Sequence, residues 1–225
     1  MQSVKIHAAP SLTMAGEELL LLPERAGWWP ARETLLVADV HWGKGASFRS
    51  LGVAVPRGTT VEGLGRLSRA LERTGASRIV FLGDLWHDRR GRAPRTIATI
   101  VDWRAAHPSL ELLLVRGNHD RHAGDPPEEL RIACVDAPHA DGPFEYRHHP
   151  EVSGNGRYVL AGHIHPAVRL RGSGRQRARM PCFWFGERIG VLPSFGDFTG
   201  SARVDPAPED RVFVVADSEV IEVGG

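Results

Sequence analysis

Three largely apolar blocks in the first half of the chain, the last of them broken only by Glu111, alternate with two stretches of helical periodicity. The blocks cover residues 34–38, 78–82 and 110–115, and such runs are typical of strands buried on both faces of a parallel sheet. Between them, apolar residues recur every three or four positions over about 60–73 and 95–106, which predicts two helices. The sequence therefore predicts a βαβαβ unit with a parallel sheet.

The second half of the chain has a different pattern, in which short apolar segments are separated by glycine and proline turns. Strands are predicted at 132–135, 144–147, 157–161, 183–185, 189–192, 211–216 and 220–223, and near the N-terminus at 4–8 and 19–22. We expect this mostly β half to stack on the first sheet. Because no linker or internal repeat divides the chain, we expect one domain over residues 1–225.

The composition restricts the class of protein. The chain has 225 residues, of which 42% are hydrophobic and 24% charged, as in an ordinary globular protein. No apolar run approaches the roughly 18 residues of a membrane span, and the first residues lack an apolar signal core of roughly 7–15 residues. Cys134 and Cys182 have no CxxC spacing, which favours free thiols and a cytoplasmic location without membrane association.

The basic residues are almost all arginines, since only Lys5 and Lys44 are lysines. No acidic residue lies between Glu151 and Glu187, a segment that contains Arg157, Arg169, Arg171, Arg175, Arg177 and Arg179. Because arginine binds phosphates well, this segment could be a loop that faces nucleic acid. It could equally be a solvated loop of an arginine-rich protein, and both interpretations stay open.

Polar residues follow each predicted buried strand. Asp39 and His41 follow the first, Asp84 and His87 the second, and the run Asn118-His119-Asp120 the third. The carboxyl ends of parallel strands meet at one edge of a sheet, where such folds place their chemistry. Further along, the chain carries His148 and His149 and the segment Gly162-His163-Ile164-His165. Alone, the Asn-His-Asp run could be a polar turn, but the later histidines favour a site.

These side chains form a set of metal ligands. Histidine, carboxylate and amide groups suit Mn²⁺, Fe or Zn²⁺. The set is too large for one tetrahedral ion and fits two ions that share a carboxylate at a separation of roughly 3.5–4 Å. Such a pair lowers the pKa of a bridging water from 15.7 toward about 7, so that a hydroxide can attack phosphorus. His119, beside Asn118, could then protonate the departing alkoxide.

The motifs Asp-x-His, Gly-Asp, Gly-Asn-His-Asp, a later His and Gly-His-x-His occur in this order, and the order resembles the calcineurin-like metallophosphoesterase superfamily. The flanking segments 38–44, 48–58, 162–166 and 192–196 are similar to the bacterial DNA-ligase-associated phosphoesterases, the PdeM family of DNA-damage-response endonucleases. The similarity covers nearly the whole chain. The resemblance implies a four-layer α/β/β/α sandwich with two mixed sheets flanked by helices.

The resemblance also implies roles for individual residues. Asp39, His41 and His165 would hold one metal ion and Asn118, His148 and His163 the other, with Asp84 as the bridge. We favour His148 over His149 because it directly follows the predicted strand at 144–147. His119 would be the general acid and Asp120 would orient it. Mn²⁺ is the expected metal, with Fe, Zn²⁺ and Mg²⁺ as alternatives.

Several neighbouring residues have less specific signals. DNA-repair nucleases of the superfamily carry a similar Gly-Asp-Leu-aromatic-His, so His87 could act in catalysis or support Asp84 structurally. Trp42 and Trp86 could stack on bases or form the wall of the site, and we favour the wall. The candidates for binding the substrate phosphate, chosen for their proximity to the motifs, are Arg49, Arg116 and Arg121.

The predicted activity is metal-dependent hydrolysis of phosphodiesters. The resemblance, together with the arginine-rich segment, implies DNA as the substrate and a role in DNA repair with a ligase-associated system, for which a DNA ligase and a helicase are candidate partners. A phosphodiesterase or pyrophosphatase that acts on a small molecule or lipid precursor is the alternative. A non-enzymatic binding scaffold is disfavoured, because such proteins usually lose ligands and none is missing here. Exposed strand edges are compatible with a homodimer.

Overall fold

The computed structural model describes residues 9–56, 58–171, 177–197 and 199–223. The strand predicted at 4–8, together with Arg57 and Arg175, lies outside the described residues.

Within the described ranges the first sheet has seven strands, which lie in the same order as in the chain. They are β1 (Ser11–Met14), β2 (Glu17–Leu22), β3 (Ala26–Trp29), β4 (Thr34–Val37), β5 (Arg78–Leu82), β6 (Glu111–Val115) and β7 (Ile132–Val135). Strands β1 to β4 pair antiparallel, whereas β4 to β7 pair parallel. The three predicted buried strands are β4, β5 and β6, and the parallel unit is confirmed.

All four described α-helices connect the parallel strands of this sheet. They are α1 (Lys44–Ser50), α2 (Thr59–Thr74), α3 (Pro94–Ala106) and α4 (Asn118–Ala123). Crossovers between parallel strands are right-handed, so strands added in sequential order place their helices on the same face. Leu64 and Leu67 of α2 and Ile100 of α3 accordingly share a core with Phe81 of β5. The two long helices were predicted, whereas the short helices α1 and α4 were not.

The second sheet has nine strands and is also mixed. They are β8 (His139–Asp141), β9 (Phe144–Tyr146), β10 (Tyr158–Ala161), β11 (Pro166–Arg171), β12 (Arg177–Phe185), β13 (Ile189–Val191), β14 (Ala202–Arg203), β15 (Arg211–Ala216) and β16 (Glu219–Val223). The main path runs β14-β11-β12-β13-β10-β9-β8, and β15 pairs with both β12 and β16. The predicted pair of mixed sheets with flanking helices is confirmed.

The arginine-rich segment is not the loop that the sequence predicted, because β11 and β12 form an antiparallel hairpin there. Strand alternation explains the composition, since Arg169 is exposed while the preceding Val168 packs against a small apolar cluster with Val212 and Val214. Because only one face of the strand is buried, the arginines on its exposed face make the apolar alternation difficult to recognise in the sequence.

The two sheets stack through alternate residues of the parallel strands. Leu36, Val80 and Leu113 point away from the helices and share a core with Phe183 and Phe213 of the second sheet. Among the described residues both cysteines are free thiols, and no helix is long and apolar enough to cross a membrane.

Backbone contacts join the end of β4 to the loop that follows β13. The N–H of Phe195 donates to the carbonyl oxygen of Ala38 at 2.8 Å, and that of Gly196 to Asp39 at 3.0 Å. Ala38 also forms a parallel bridge with Ser194. These contacts bring the carboxyl ends of strands from both sheets to the same side of the molecule.

Candidate metal centre

The predicted ligands come from five loops, each of which follows the carboxyl end of a strand. Three loops belong to the first sheet and two to the second. In the first sheet, the loop after β4 contributes Asp39 and His41, the loop after β5 contributes Asp84, and the loop after β6 contributes Asn118. In the second sheet, the loop after β9 contributes His148, and the loop after β10 contributes His163 and His165.

Several of these residues have the left-handed backbone conformation. Ten described non-glycine residues have positive φ angles, and five of them are Asp39 (53°), His41 (50°), Asp84 (51°), His163 (73°) and His165 (49°). Such a conformation costs on the order of 1–3 kcal/mol per residue and is concentrated at functional sites. Here it turns the chain sharply at the strand ends, so that successive side chains reach the same point.

Two glycines allow the loops to approach each other closely. A Cβ on Gly83, whose φ is +79°, would lie 2.2 Å from Nδ1 of His148, and a Cβ on Gly117 would lie 2.3 Å from Oδ1 of Asp84. Both distances are far inside van der Waals contact. The glycine of each motif is therefore required for packing against a ligand from another loop.

Asp39, His41 and His165 form the first group of potential ligands. Nε2 of His165 lies 3.4 Å from Oδ1 of Asp39 and 3.4 Å from Nε2 of His41. Asp39 and His41 are buried. The three side chains thus present their polar atoms to a common point at the edge of both sheets.

Asn118, His148 and His163 form the second group. Nε2 of His148 lies 2.9 Å from Oδ1 of Asn118 and 3.1 Å from Nδ1 of His163. His148 is buried, whereas the adjacent His149 is exposed and packs on the outside of the His163 ring with centroids 4.0 Å apart. The structure therefore brings His148 rather than His149 to the interior of this group.

Asp84 lies between the two groups. Its Oδ1 is 3.3 Å from Nε2 of His148 in the second group, and its Oδ2 is 3.9 Å from Nε2 of His41 in the first. Burial alone would raise the pKa of Asp84, but hydrogen bonding and charge interaction with His148 lower it to about 2. Asp84 is thus an ionised carboxylate with one oxygen directed at each group.

The donor atoms fit a pair of cations. Nδ1 of His148 donates to the carbonyl oxygen of Leu82 at 3.1 Å, and Nδ1 of His165 donates to that of Gly200 at 2.7 Å. The opposite nitrogen of each ring therefore directs its lone pair into the centre, as metal-ligating histidines do. The buried Oδ1 of Asp39 has no hydrogen-bond partner among the described residues. Converging lone pairs and an unpaired buried carboxylate oxygen are what bound cations would satisfy.

His119 lies at the same edge. Its backbone N–H donates to Oδ1 of Asp84 at 2.9 Å, and its Nε2 lies 3.8 Å from Oδ2 of that residue. Its Nδ1 donates to the carbonyl oxygen of His87 at 2.5 Å. Because Nδ1 is used in this way, Nε2 is the nitrogen that can exchange a proton with a substrate at the centre.

Asp120 does not orient His119 as predicted. Its buried carboxylate accepts hydrogen bonds from the backbone N–H groups of Gly117 (2.9 Å), Leu85 (2.9 Å) and Trp86 (3.2 Å). It therefore joins the loops after β5 and β6, and the His87 carbonyl holds the His119 ring instead. Position 120 is the third residue of α4, where a carboxylate naturally turns back to free N–H groups.

His87 packs within the wall of the first group. Its ring stacks on His119 with centroids 5.2 Å apart and meets His41 edge-on at 5.4 Å. Burial, followed by the positive charge of Lys44, lowers the pKa of His87 to about 4. Its buried Nδ1 has no hydrogen-bond partner among the described residues. His87 is therefore a neutral ring beside the predicted acid.

Trp42 and Trp86 are both buried in the core between the first sheet and its helices. They pair through an isolated parallel bridge, with ring centroids 6.0 Å apart. They form the floor of the site, in agreement with the wall interpretation.

The three arginines proposed for substrate binding have different surroundings. Arg116 binds Asp125 with two hydrogen bonds of 2.7 and 2.8 Å and also approaches Asp136 at 3.4 Å. Arg49 donates to the carbonyl oxygen of Pro56. Arg121 is exposed and, among the described residues, forms no ion pair. It lines a cavity of about 190 Å³ with Asn118 and His149.

Lys44 is a candidate that the sequence analysis did not select. Its ammonium lies over the ring of Phe48, 5.8 Å from the centroid. Its charge interacts with Asp39 and Asp84 and, after burial, contributes to the lowered pKa values of His41 and His87. It is half-buried and has no carboxylate within 4.0 Å among the described residues. The sequence could have indicated this residue, because Lys44 is one of only two lysines in the chain and lies close to His41.

The chain matches no known family model and no curated protein sequence, but it is similar to solved structures. The crystal structure of the Pseudomonas putida nuclease MPE is 42% identical and has a TM-score of 0.85, over 96% of this chain and 100% of that chain. The E. coli phosphoesterase Yfce is 17% identical over 85% of this chain and 98% of its own, with a TM-score of 0.40. The nuclease alone, with identity well above 30% over its full length, establishes the relationship. The chain belongs to the metallophosphoesterase superfamily of metal-dependent phosphoesterases, and within it to the family of the P. putida nuclease MPE.

Proposed function

We propose that this protein is a nuclease that hydrolyses phosphodiester bonds in DNA with two divalent cations. The observation that carries the proposal is the position of Asp84, whose two oxygens face two separate groups of donors. The similarity to a nuclease supports nucleic acid as the substrate class.

In this proposal each group holds one cation. Asp39, His41 and His165 would hold the first, Asn118, His148 and His163 would hold the second, and Asp84 would contribute to both. When bound, the two cations supply a nucleophile at neutral pH and neutralise the phosphate oxygens that would otherwise repel it. Mn²⁺ is the proposed metal because nitrogen and oxygen donors are mixed without thiolates.

The remaining chemistry belongs to side chains of this chain. Protonated His119 donates from Nε2 to the departing oxygen, while the His87 carbonyl keeps the ring in place through Nδ1. The half-buried ammonium of Lys44 binds a non-bridging oxygen of the scissile phosphate. Arg121 contributes positive charge on the opposite side of the centre.

The surroundings of the centre favour a polymer over a compact substrate. One cavity, of about 200 Å³, adjoins His165, and another, of about 190 Å³, adjoins Asn118 and His148. A strand that continues on either side of the scissile phosphate can occupy both. A small phosphodiester would leave at least one of them unused.

The wider biological role rests on the family resemblance. We propose that the chain forms a single domain. We further propose that it acts in DNA repair in the cytoplasm, with a DNA ligase and a helicase as partners. The exposed edges of the sheets leave room for a homodimer.

The proposal is tested by reloading metal-stripped protein with Mn²⁺ and measuring three reactions. The substrates are bis(p-nitrophenyl) phosphate, p-nitrophenyl phosphate and a single-stranded DNA oligonucleotide. We expect turnover of the diester and of DNA, with each rate saturating only after two equivalents of metal have bound. Turnover of the monoester alone would exclude a nuclease, and saturation at one equivalent would exclude the dinuclear centre.

A further inference from the structure

A groove lined by arginines begins beside the metal centre and runs along helix α2. Its first part is the cavity that contains His165, Arg25 and Arg179. Its second part is a cavity of about 560 Å³ that contains Arg66, Arg69 and Arg73 of α2. Arg25 and Pro181 line both cavities, so the two parts adjoin each other. We call this surface the arginine groove and define it by Arg25, Arg66, Arg69, Arg73 and Arg179.

The arginine groove has more positive charge than its carboxylates neutralise. Five arginines face three acidic residues, Glu24, Asp197 and Asp217, which leaves a net charge of +2. Arg66 binds both oxygens of Asp197 at 3.0 and 2.9 Å, and Arg25 contacts the same carboxylate at 3.1 Å. Two guanidinium groups thus share one carboxylate. Burial, and then the charge of Arg66, lower the pKa of Arg25, as expected for an under-neutralised pair.

Two further arginines extend this charge. Arg179 is exposed, and its guanidinium contacts only the carbonyl oxygen of Ser201 among the described residues. Arg69 is exposed and has no ion pair among them. From Arg66 to Arg73 the helix rises by about 10 Å at about 1.5 Å per residue. The groove is therefore long enough to face more than one phosphate of an extended strand.

The cavity on the other side of the centre does not share this property. It contains Arg116, Arg121 and Arg147, but Arg116 pairs with Asp125 and Asp136, and Arg147 pairs with Glu145 and Glu151. Only Arg121 is left without a carboxylate among the described residues. Among the described residues the arginine groove therefore has two arginines without an ion pair, Arg69 and Arg179, against one in this cavity.

We propose that the arginine groove binds the sugar–phosphate backbone of the substrate strand on the His165 side of the scissile bond. Arginine forks match phosphate geometry, and polyanion binding needs positive charge that is not already paired. Arg25 and Arg66, held by Asp197, form the rigid part next to the centre. Arg69 and Arg179 supply free guanidinium groups for further phosphates. This inference rests on the proposed nuclease function and specifies where the strand lies.

The test uses the double variant Arg69→Gln/Arg179→Gln, because both side chains are exposed and their removal leaves no buried carboxylate unpaired. The matched control is Arg131→Gln/Arg188→Gln, which removes two exposed charges away from the groove. Both variants and the parent enzyme, loaded with Mn²⁺, are assayed on bis(p-nitrophenyl) phosphate and on single-stranded oligonucleotides of increasing length over a range of salt concentrations.

We expect the groove variant to hydrolyse the small diester like the parent enzyme but to lose about tenfold or more in kcat/KM on long oligonucleotides. The slope of log kcat/KM against log salt should become shallower by about 1.4, since each phosphate contact to a single strand contributes about 0.7. The control variant should show neither change. Unaltered cleavage and salt dependence of long oligonucleotides in the groove variant would overturn the inference.

The outcome is distinguishable from failure of the proposed function. If the parent enzyme cleaves no phosphodiester, the nuclease proposal fails, and the groove is then tested by fluorescence anisotropy of a labelled oligonucleotide. Equal affinity of parent and groove variant in that measurement rejects the groove as a nucleic-acid site. Weaker binding by the groove variant alone supports it.

Discussion

The two halves of the metal centre are built in different ways. In the first sheet, the backbone ladder continues beyond β4 and β5: the N–H of His41 donates to Asp84 at 2.9 Å and that of Trp42 to Leu85 at 2.7 Å. In the second sheet, the loop with His163 and His165 continues the ladder by one bond among the described residues, from the N–H of Gly162 to the carbonyl oxygen of His148 at 3.1 Å, and its carbonyl oxygens at Ile164 and His165 accept from the N–H of Ala202. Its main link to the first half is the N–H of His163, which donates to Oδ2 of Asp39 at 2.9 Å.

The two halves differ in the charge of the ligands that they contribute and in the hydrogen bonds that hold their loops. Both carboxylates, Asp39 and Asp84, belong to the first half, where backbone hydrogen bonds hold the loops. The second half contributes only imidazole groups, from His148, His163 and His165. Backbone hydrogen bonds thus hold two like charges within 4.8 Å of each other, and the histidines complete the site from loops of the second sheet. We expect the first half to keep its shape without metal and the second half to depend on it.

The largest effect should come from Asp84, the residue that faces both halves. We expect Asp84→Asn to reduce hydrolysis to the background rate, because the amide has no charge to neutralise two cations. Calorimetric titration with Mn²⁺ should show weakened binding at both sites, whereas His163→Ala should weaken binding at one. An Asp84→Asn protein that still binds two equivalents tightly would disprove its bridging position.

The next effect concerns proton transfer within the first half. We expect His119→Ala to reduce DNA cleavage by about 10²–10⁴-fold, with two Mn²⁺ ions still bound. On bis(p-nitrophenyl) phosphate the loss should be much smaller, because p-nitrophenolate leaves without a proton. Equal losses on the two substrates would show that His119 does not act as the general acid.

Metal removal should affect the two halves unequally. Saturation at about 100 times Kd stabilises a protein by about 2.7 kcal/mol, so stripping the metal should lower Tm by about 5–10 °C for a chain of this size. Hydrogen exchange should increase in residues 162–166 more than in residues 37–42. A uniform increase across both loops would contradict the contrast between a preformed half and a metal-dependent half.

The smallest effect should come from Lys44, which lies on the first half and has no carboxylate partner in the part of the chain that the structure describes. Hydrogen bonds to charged groups contribute about 1.5–3 kcal/mol, and at a half-buried position we expect the lower limit. Lys44→Met should therefore raise KM for both diester substrates about tenfold while metal affinity stays within a factor of two. If instead metal affinity falls and KM is unchanged, the ammonium stabilises the ligands rather than the substrate.

The hydrophobic pattern of the sequence predicted the elements that have a long apolar run or several turns of helical periodicity. Strands β4, β5 and β6 are continuous apolar runs, and α2 and α3 are long enough to show helical periodicity. Helices α1 and α4 have only 7 and 6 residues, so each completes about two turns and provides no period to detect. Of the β11–β12 hairpin only the end of β12, at 183–185, was predicted, because arginines such as Arg169 and Arg179 occupy its exposed face.

The candidate ligands could be predicted from the sequence because each follows the end of a strand, and strand ends converge at one edge of a sheet. The roles of their neighbours were not accessible. Whether Asp120 binds the His119 ring or the N–H groups of Gly117, Leu85 and Trp86 depends on how two loops pack. Whether the charge of an arginine is neutralised likewise depends on partners that are distant in sequence. Arg25 and Arg66, for example, share Asp197, which lies more than 130 positions from either.

The sequence by itself thus determined the chemical identity of the donors and the order in which strands present them, because both are properties of short segments. Only the tertiary structure decided which charges remain unpaired beside the centre. Electrostatic free energy depends on distances between side chains, and those distances are set by how the two sheets stack rather than by any local pattern.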